Sequence, residues 1–389
     1  MSTTSAAKEA AAAAVDRHLG ELVSLSHFVH AHPELCYDET ASAHAVAEAL
    51  RAGGLEAQEG VYEIPTALES RAGSGELTVA VCAEYDALPD VGHACGHNII
   101  AATAVGAGLA LAEVADDVGL SVRVLGTPAE EGGGGKILML ERGAFAGVHA
   151  AMMIHPWPTE RLVGRCLAVA HFDVTFTGRE AHASAAPWEG VNAQDALTVS
   201  QVAIGLLRQQ LRPGDQVHGV VTRSPGAANV IPGSITARYM VRSPTYDGLR
   251  AVRPRVEACF EAGALASGCT VAYEELSPVY SHMETDPSLQ AAYRANAESL
   301  GRRFEADDAE TPLPTFSTDM ANVSLAVPTI HPLIGIETNG AVNHQKEFAA
   351  ACITASADAA VRDGAVALAW TAIDAASNPE LRAHLLARA

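Results

Sequence analysis

The stretch ELTVAVCAEYDALP, residues 76–89, is a short apolar, partly β-branched run that breaks into acidic residues, Asp86 and then Pro89. A run this short and without polar alternation suits a strand covered on both faces, with its polar residues at the carboxyl end. The pattern repeats downstream. NIIAATAVGAGLALAEVA (98–115) reads as a small-residue helix and LSVRVLGTPAEE (120–131) as a strand entering a loop. KILMLERGAF (136–145) is a second helix and GVHAAMMIHPWP (147–158) another strand entering a loop. Strands alternating with helices predict an α/β fold with a mostly parallel sheet. Three polar clusters, HACGH, AEE and MIHP, then fall at successive strand ends, the edge where open α/β sheets bind ligands.

Upstream, 14–32 has helical spacing and stops before Pro33, and 38–54 reads as a helix capped by Thr40 or Asp38 and ended by Gly-Gly. From about residue 168 the texture changes to half-exposed alternation, AVAHFDVTFTG and GSITARYMVRS, with helical patterns between the strands. Strand, helix, strand, strand, helix, strand would form a small antiparallel α+β domain. The expected organisation is a catalytic domain in two parts, 1–167 and 285–389, with residues 168–284 inserted. A length of 389 residues fits about two domains.

The net charge of −21 excludes nucleic acid and an anionic membrane surface as partners, though not an anionic substrate met by a local arginine. The N-terminal stretch lacks the pattern of a secretory signal, and the charge-free run 99–112 is too short to span a bilayer. Seven scattered cysteines, an odd number, do not suggest a disulfide framework, and a cytoplasmic location is expected.

Cys95 and His97 stand two apart in a Gly-containing turn before a helix. Such a thiol can be buried filler, a nucleophile paired with histidine, or a ligand for zinc or a neighbouring metal. The acid pair Glu130–Glu131 at a strand end, before four glycines, shifts the balance. One carboxylate can bind metal while its neighbour serves as general base. The competing reading is a loop of helix-initiating acids and flexible glycines. His155 and His344 are weak signals alone; the shared location at strand ends is the argument. GGGGK lacks the order of a phosphate-binding loop. His27, His30 and His32 are expected to pack, and Trp157 and Trp188 either line a pocket or fill one.

The ordered set EYDALPDVGHACGHN, GTPAEEGGGGK, MMIHPWP, FTGREAHASAAPWEGVNAQDA, ANVIPGSITARYMVR, FSTDMANVS and NHQKEF resembles the M20 metallopeptidase family. The HACGH and AEEGGGG forms look like its amidohydrolase branch, and the resemblance covers roughly residues 20–365. It implies a two-metal centre held by Cys95, His97, Glu131, His155 and His344, with Cys95 at the bridging position and Glu130 as general base. It also implies that the insertion is a lid and dimerisation module. His182 would polarise the scissile carbonyl there, while Asn229 and Arg242 grip the substrate's carbonyl or carboxylate. Asn98 departs from the aspartate of many conjugate hydrolases and is similar to the β-alanyl dipeptidase-like and aminobenzoyl-glutamate group. Asp86 and Asp319 are expected to support the ligands from behind. The thiolate favours zinc, with manganese or cobalt as alternatives. The expected activity is hydrolysis of the amide bond of an N-acyl amino acid or unusual dipeptide with a free carboxylate, by a homodimer. A deacetylase or carbamoylase of a small acyl group, a cysteine-nucleophile hydrolase and a non-catalytic metal-binding protein are the rivals.

Overall fold

The computed structural model describes residues 2–306 and 313–388. Its chain contacts define two compact units, Met1–Arg165 with Met283–Ala389, and Cys166–His282. The change in sequence texture places the inserted segment at 168–284, close to the second of these.

The first unit contains a six-stranded sheet in the order Ala57–Glu59, Leu68–Ala72, Leu120–Gly126, Leu77–Ala83, Ala150–Met152, Thr329–Ile330. Pairings from Leu120–Gly126 onward are parallel, and the first two strands are added antiparallel. Leu77–Ala83 shows why the opening stretch is decisive. Val79, Val81 and Ala83 join one apolar core while Ala80 and Cys82 join another, so both faces are covered. The helix His97–Ala112 packs against this strand and against the helices Thr3–Ala31 and Ala355–Ser377. Its small residues permit that crowding: a Cβ at Gly106 would lie 2.8 Å from a methyl of Leu22.

Several local expectations are corrected. The first helix is Thr3–Ala31 rather than 14–32, because the alanine-rich stretch before it continues the helix. The second, Thr40–Ala52, has Glu39 at its cap position rather than Thr40 or Asp38, and the Glu39 side chain makes no capping bond. Glu34 does that work, its carboxylate accepting the Ala41 and Ser42 N–H groups at 2.9 and 2.8 Å. The strand expected over 147–158 divides into Ala150–Met152 in the main sheet and His155–Trp157, which pairs with Leu333–Gly335.

The second unit is a four-stranded antiparallel sheet in the order Gln216–Arg223, Ser234–Ser243, Ala168–Thr177, Thr270–Glu275. Phe172, Val174 and Phe176 alternate into one core with Leu197 and Ile204 of the helix Ala193–Leu207 and Val256 and Phe260 of the helix Tyr246–Ser267. Among the described residues no helix is long and apolar enough to cross a membrane.

Candidate active site and metal centre

Cys95 and His97 flank Gly96, which has φ +77° and leaves only 2.9 Å between a would-be Cβ and Pro156 Cγ. A side chain there would be strained and would collide, so glycine fixes the turn that presents both donors. His97 opens the helix His97–Ala112. Its Nδ1–H donates to Asp86 Oδ1 at 2.9 Å, and Asp86 Oδ2 accepts the Glu131 N–H at 2.8 Å. Asp86 therefore ties two strand ends together and orients His97, an arrangement typical of metal-ligating histidines.

Glu130 and Glu131 follow the strand Leu120–Gly126 after Ala129, whose φ is +60°. The glycines after them meet a steric demand and are not loose filler. A Cβ at Gly133 would lie 2.6 Å from both Ala129 Cβ and the Tyr37 ring, and one at Gly135 would lie 1.8 Å from Pro128 O. His155 starts the strand His155–Trp157 and its Nδ1–H donates to Pro156 O at 2.8 Å. His344 is exposed and places Nε2 3.9 Å from Glu131 Oε2.

These residues converge. Donor atoms of Cys95, His97 and His155 lie within 4.8 Å of one another, and so do those of Cys95, Glu131 and His344. The two triads share the thiol. A third set, Glu84, His97 and Glu130, meets the same limit. Glu84 carries no distinguishing signal in the sequence, although it stands at the same strand end as Asp86. Lys136, which follows the glycine run, is also central. Fully buried, it bonds Glu84 and donates from Nζ to Asp319 Oδ1 at 2.8 Å, while its N–H donates to Asp319 Oδ2 at 2.8 Å.

The electrostatics show what the cluster lacks. Glu84, Asp86, Glu130 and Asp319 are buried and the Glu131 side chain nearly so, against the single lysine and His97. Burial, then Glu84 and Glu131, raises Glu130 well above the usual carboxylate range. Burial opposes a charged His97, but Asp86 and then Glu84 outweigh it and raise its pKa. Burial and then Glu131 push the Cys95 thiol well up, the opposite of what a free nucleophilic thiolate needs. His97 Nε2, Glu84 Oε2 and Glu131 Oε1 are buried with no hydrogen-bond partner. Surplus buried carboxylate and unpartnered donors at shared positions fit divalent metal, which compensates the charge and takes up the donors.

Two further buried histidines are His93, which belongs to the HACGH cluster, and His331, a lone histidine that carries little signal in the sequence. His93 and His331 have both ring nitrogens unpartnered, and burial lowers their pKa values to about 3 and about 4. Of the upstream histidines, His27 bonds Asp358 at 2.9 Å and His30 bonds Ala349 O at 2.8 Å, as packing residues do. Trp157 lies tilted against Phe316, with ring centroids 6.1 Å apart, whereas Trp188 is 75% exposed.

His182, Asn229 and Arg242 belong to the second unit. His182 pairs with Val230, and the Ala183 N–H donates to Asn229 O at 2.9 Å, so these two residues are neighbours. His182 Nδ1 accepts N–H groups from Ser184 and Ala185 at 3.3 and 3.2 Å, which leaves its proton on Nε2. Arg242 lies on a different strand, Ser234–Ser243, half-buried, and burial lowers its pKa.

The family model described as Peptidase family M20/M25/M40 matches residues 80–362. The Xaa-Arg dipeptidase of Mus musculus is 38% identical over 390 residues, covering 96% of this chain and 90% of that protein. A p-aminobenzoyl-glutamate hydrolase polypeptide of Escherichia coli is 32% identical over 264 residues, covering 62% of this chain and 54% of that one. A dinuclear metal-binding peptidase of the M20 family from Bacillus subtilis shares the fold, with a TM-score of 0.69 at 20% identity over 92% of this chain and 98% of its own. The chain belongs to the M20/M25/M40 peptidase family, as its motifs implied, and is an amidohydrolase of that metal-dependent class.

Proposed function

We propose that this enzyme hydrolyses the amide bond of a dipeptide or N-acyl amino acid that carries a free carboxylate. The observation that carries the reading is the pair of donor triads sharing Cys95, with Glu130 beside them. We assign Cys95, His97, Glu131, His155 and His344 as ligands of two divalent ions. Zinc is favoured because a thiolate is a soft donor, with manganese or cobalt as the alternatives. Metal bound here would supply Lewis acidity, which lowers the pKa of water and polarises a carbonyl.

Glu130 takes a proton from the attacking water and returns it to the leaving amine. Asp86 holds the His97 ring and the Glu131 backbone in place through the two hydrogen bonds described above. His182 offers an Nε2–H that suits a developing oxyanion, and Arg242 and Asn229 suit a carboxylate and a carbonyl. The names of the mouse and bacterial relatives support two released groups, arginine and glutamate, both amino acids with a free α-carboxylate.

The exposed Val199, Val202 and Leu206 occupy one face of the helix Ala193–Leu207, and Val220 and Val221 are exposed on the sheet's edge strand. An exposed apolar helix face and an open strand edge in the same unit support a homodimer through this unit. Seven free cysteines favour a reducing compartment, hence the cytoplasm.

The test is metal content per chain on protein purified without chelator. Turnover of alanyl-arginine, p-aminobenzoyl-glutamate and an N-acetyl amino acid is measured before and after chelation and metal return. Two ions per chain with activity lost and restored is expected. Chelator-insensitive hydrolysis abolished by thiol alkylation would replace this mechanism with a Cys95 nucleophile, and turnover of the acetyl compound alone would favour the deacetylase reading.

A further inference from the structure

Glu39 is fully buried, yet the mechanism above does not use it. It stands at the cap position of the helix Thr40–Ala52 without capping it, so its carboxylate is not needed there. Its Oε1 instead accepts the N–H of Ala129 at 2.8 Å, ninety residues away in sequence. Ala129 has φ +60° and immediately precedes Glu130 and Glu131. A residue with a Cβ is disfavoured in that left-handed region and stays there only when its surroundings over-determine it.

Two residues before Glu39, the Tyr37 hydroxyl donates to Gly133 O at 2.7 Å, on the far side of the acid pair. The Gly133 N–H closes the turn by donating to Ala129 O at 3.0 Å. The turn that carries Glu130 and Glu131 is therefore gripped at both ends by residues 37 and 39. The segment doing the gripping is itself held: the Asp38 N–H donates to Leu35 O at 2.9 Å, and Glu34 binds the helix start just beyond it.

We propose that Glu39 is a positioning residue. By accepting the Ala129 N–H it holds Ala129 left-handed, and so sets where the Glu130 and Glu131 carboxylates stand. Without an acceptor, the buried N–H is orphaned and Ala129 is free to relax to negative φ, which turns the acid pair away. The inference rests on the roles proposed above for Glu130 and Glu131.

The test compares Glu39→Ala, Glu39→Gln, Ala129→Gly and the double variant Glu39→Ala/Ala129→Gly. Readouts are kcat and KM on alanyl-arginine, the zinc dissociation constant by chelator competition, and thermal unfolding. Glu39→Ala is expected to lower kcat by roughly 10- to 100-fold and to weaken zinc by about tenfold or more, with KM little changed. Glu39→Gln keeps an acceptor oxygen and should stay near wild type. Glycine at 129 takes positive φ without a Cβ penalty, so the double variant should recover most of the loss, a non-additivity that a general stability defect would not show.

Glu39→Ala with wild-type kcat and zinc affinity, Glu39→Gln as damaging as Glu39→Ala, or a double variant no better than Glu39→Ala would each overturn the proposal. If Glu39→Ala does not fold, Glu39→Gln and the double variant decide: both near wild type supports it, and either one inactive or unable to hold zinc overturns it. A wild-type chain that takes up no divalent metal sinks the proposed function and this inference together. Two ions in wild type and an unaltered Glu39→Ala sink this inference alone.

Discussion

Inside the first unit lie Glu84, Asp86, His97, Glu130, Lys136 and Asp319, each with less than a tenth of its surface exposed. The described buried polar residues of the second unit, Ser200, Thr236, Ser243 and Ser281, carry no charge. Its ion pairs, such as Arg238 with Asp173 and Arg253 with Glu275, involve arginines or glutamates that reach solvent. Burying charge opposes folding unless each charge is paired or bound to a metal, whereas an alternating apolar face only favours it. One unit thus holds ionic chemistry against a folding cost. The other is a core of aromatic and aliphatic side chains from sheet and helices, without that burden.

The sharpest way to break this contrast is to remove one buried charge at a time. Glu130→Gln should lower kcat by roughly 10²- to 10⁴-fold while metal content stays at the wild-type level. It removes a carboxylate from a cluster with too many, so unfolding in urea should show no loss of stability. Unchanged turnover would require a different base.

Lys136→Met acts on the same cluster with the opposite consequence. It leaves Glu84 and Asp319 buried without their cation, and a loss of about 3–5 kcal/mol in unfolding free energy is expected. A loss close to that of an exposed pair would mean that the first unit does not carry the burden ascribed to it.

The strand ends are legible in the sequence because parallel strands buried on both faces give uninterrupted apolar runs, and polar residues stand out where such runs stop. Leu77–Ala83 comes close to that pattern, with Thr78 its one polar residue, and Leu120–Gly126 stays readable through Leu120, Val122, Val124 and Leu125 although Ser121 and Arg123 interrupt it; Cys95, Glu131 and the acid at 130 lie beyond these two strands. The added edge strands Ala57–Glu59 and Leu68–Ala72 are not legible: one is three residues long, and the other contains Glu69 and Arg71. Glu84 and Lys136 do not stand out because their meaning lies in a pairing across 52 residues that no local pattern encodes. Glu39 is hidden for the same reason, its partner Ala129 being an unremarkable residue in an unusual backbone conformation. Periodicity reports which face is buried. It is silent about which buried polar groups meet.

In the second unit the same kind of experiment should give small, purely structural effects. Ile235→Val removes one methylene from a residue that is 1% exposed, and a loss of about 0.5–1.5 kcal/mol is expected, with kcat and metal content unchanged. A drop in kcat larger than the drop in stability would show that this core also sets the geometry of catalysis, and the contrast between the units would need to be redrawn.

The smallest effect is expected from Arg238→Gln. Arg238 holds Asp173 through Nε at 2.8 Å and Nη2 at 3.1 Å, but 44% of the arginine side chain faces solvent. Exposed pairs contribute about 0.2–1 kcal/mol and are screened by salt, so the loss should fade further in concentrated sodium chloride. The hydrogen bond from Arg238 holds the Asp173 carboxyl below its usual range, so the native state favours the ionised form more than the unfolded chain does. The stabilisation is therefore complete above the ordinary aspartate pKa and is lost as pH falls through the lowered native value. Wild type and Arg238→Gln should differ slightly at pH 7 and converge in acid. A difference at pH 7 as large as that of Lys136→Met would mean that this surface pair is as costly to break as the buried one, and that burial is not what separates the two units.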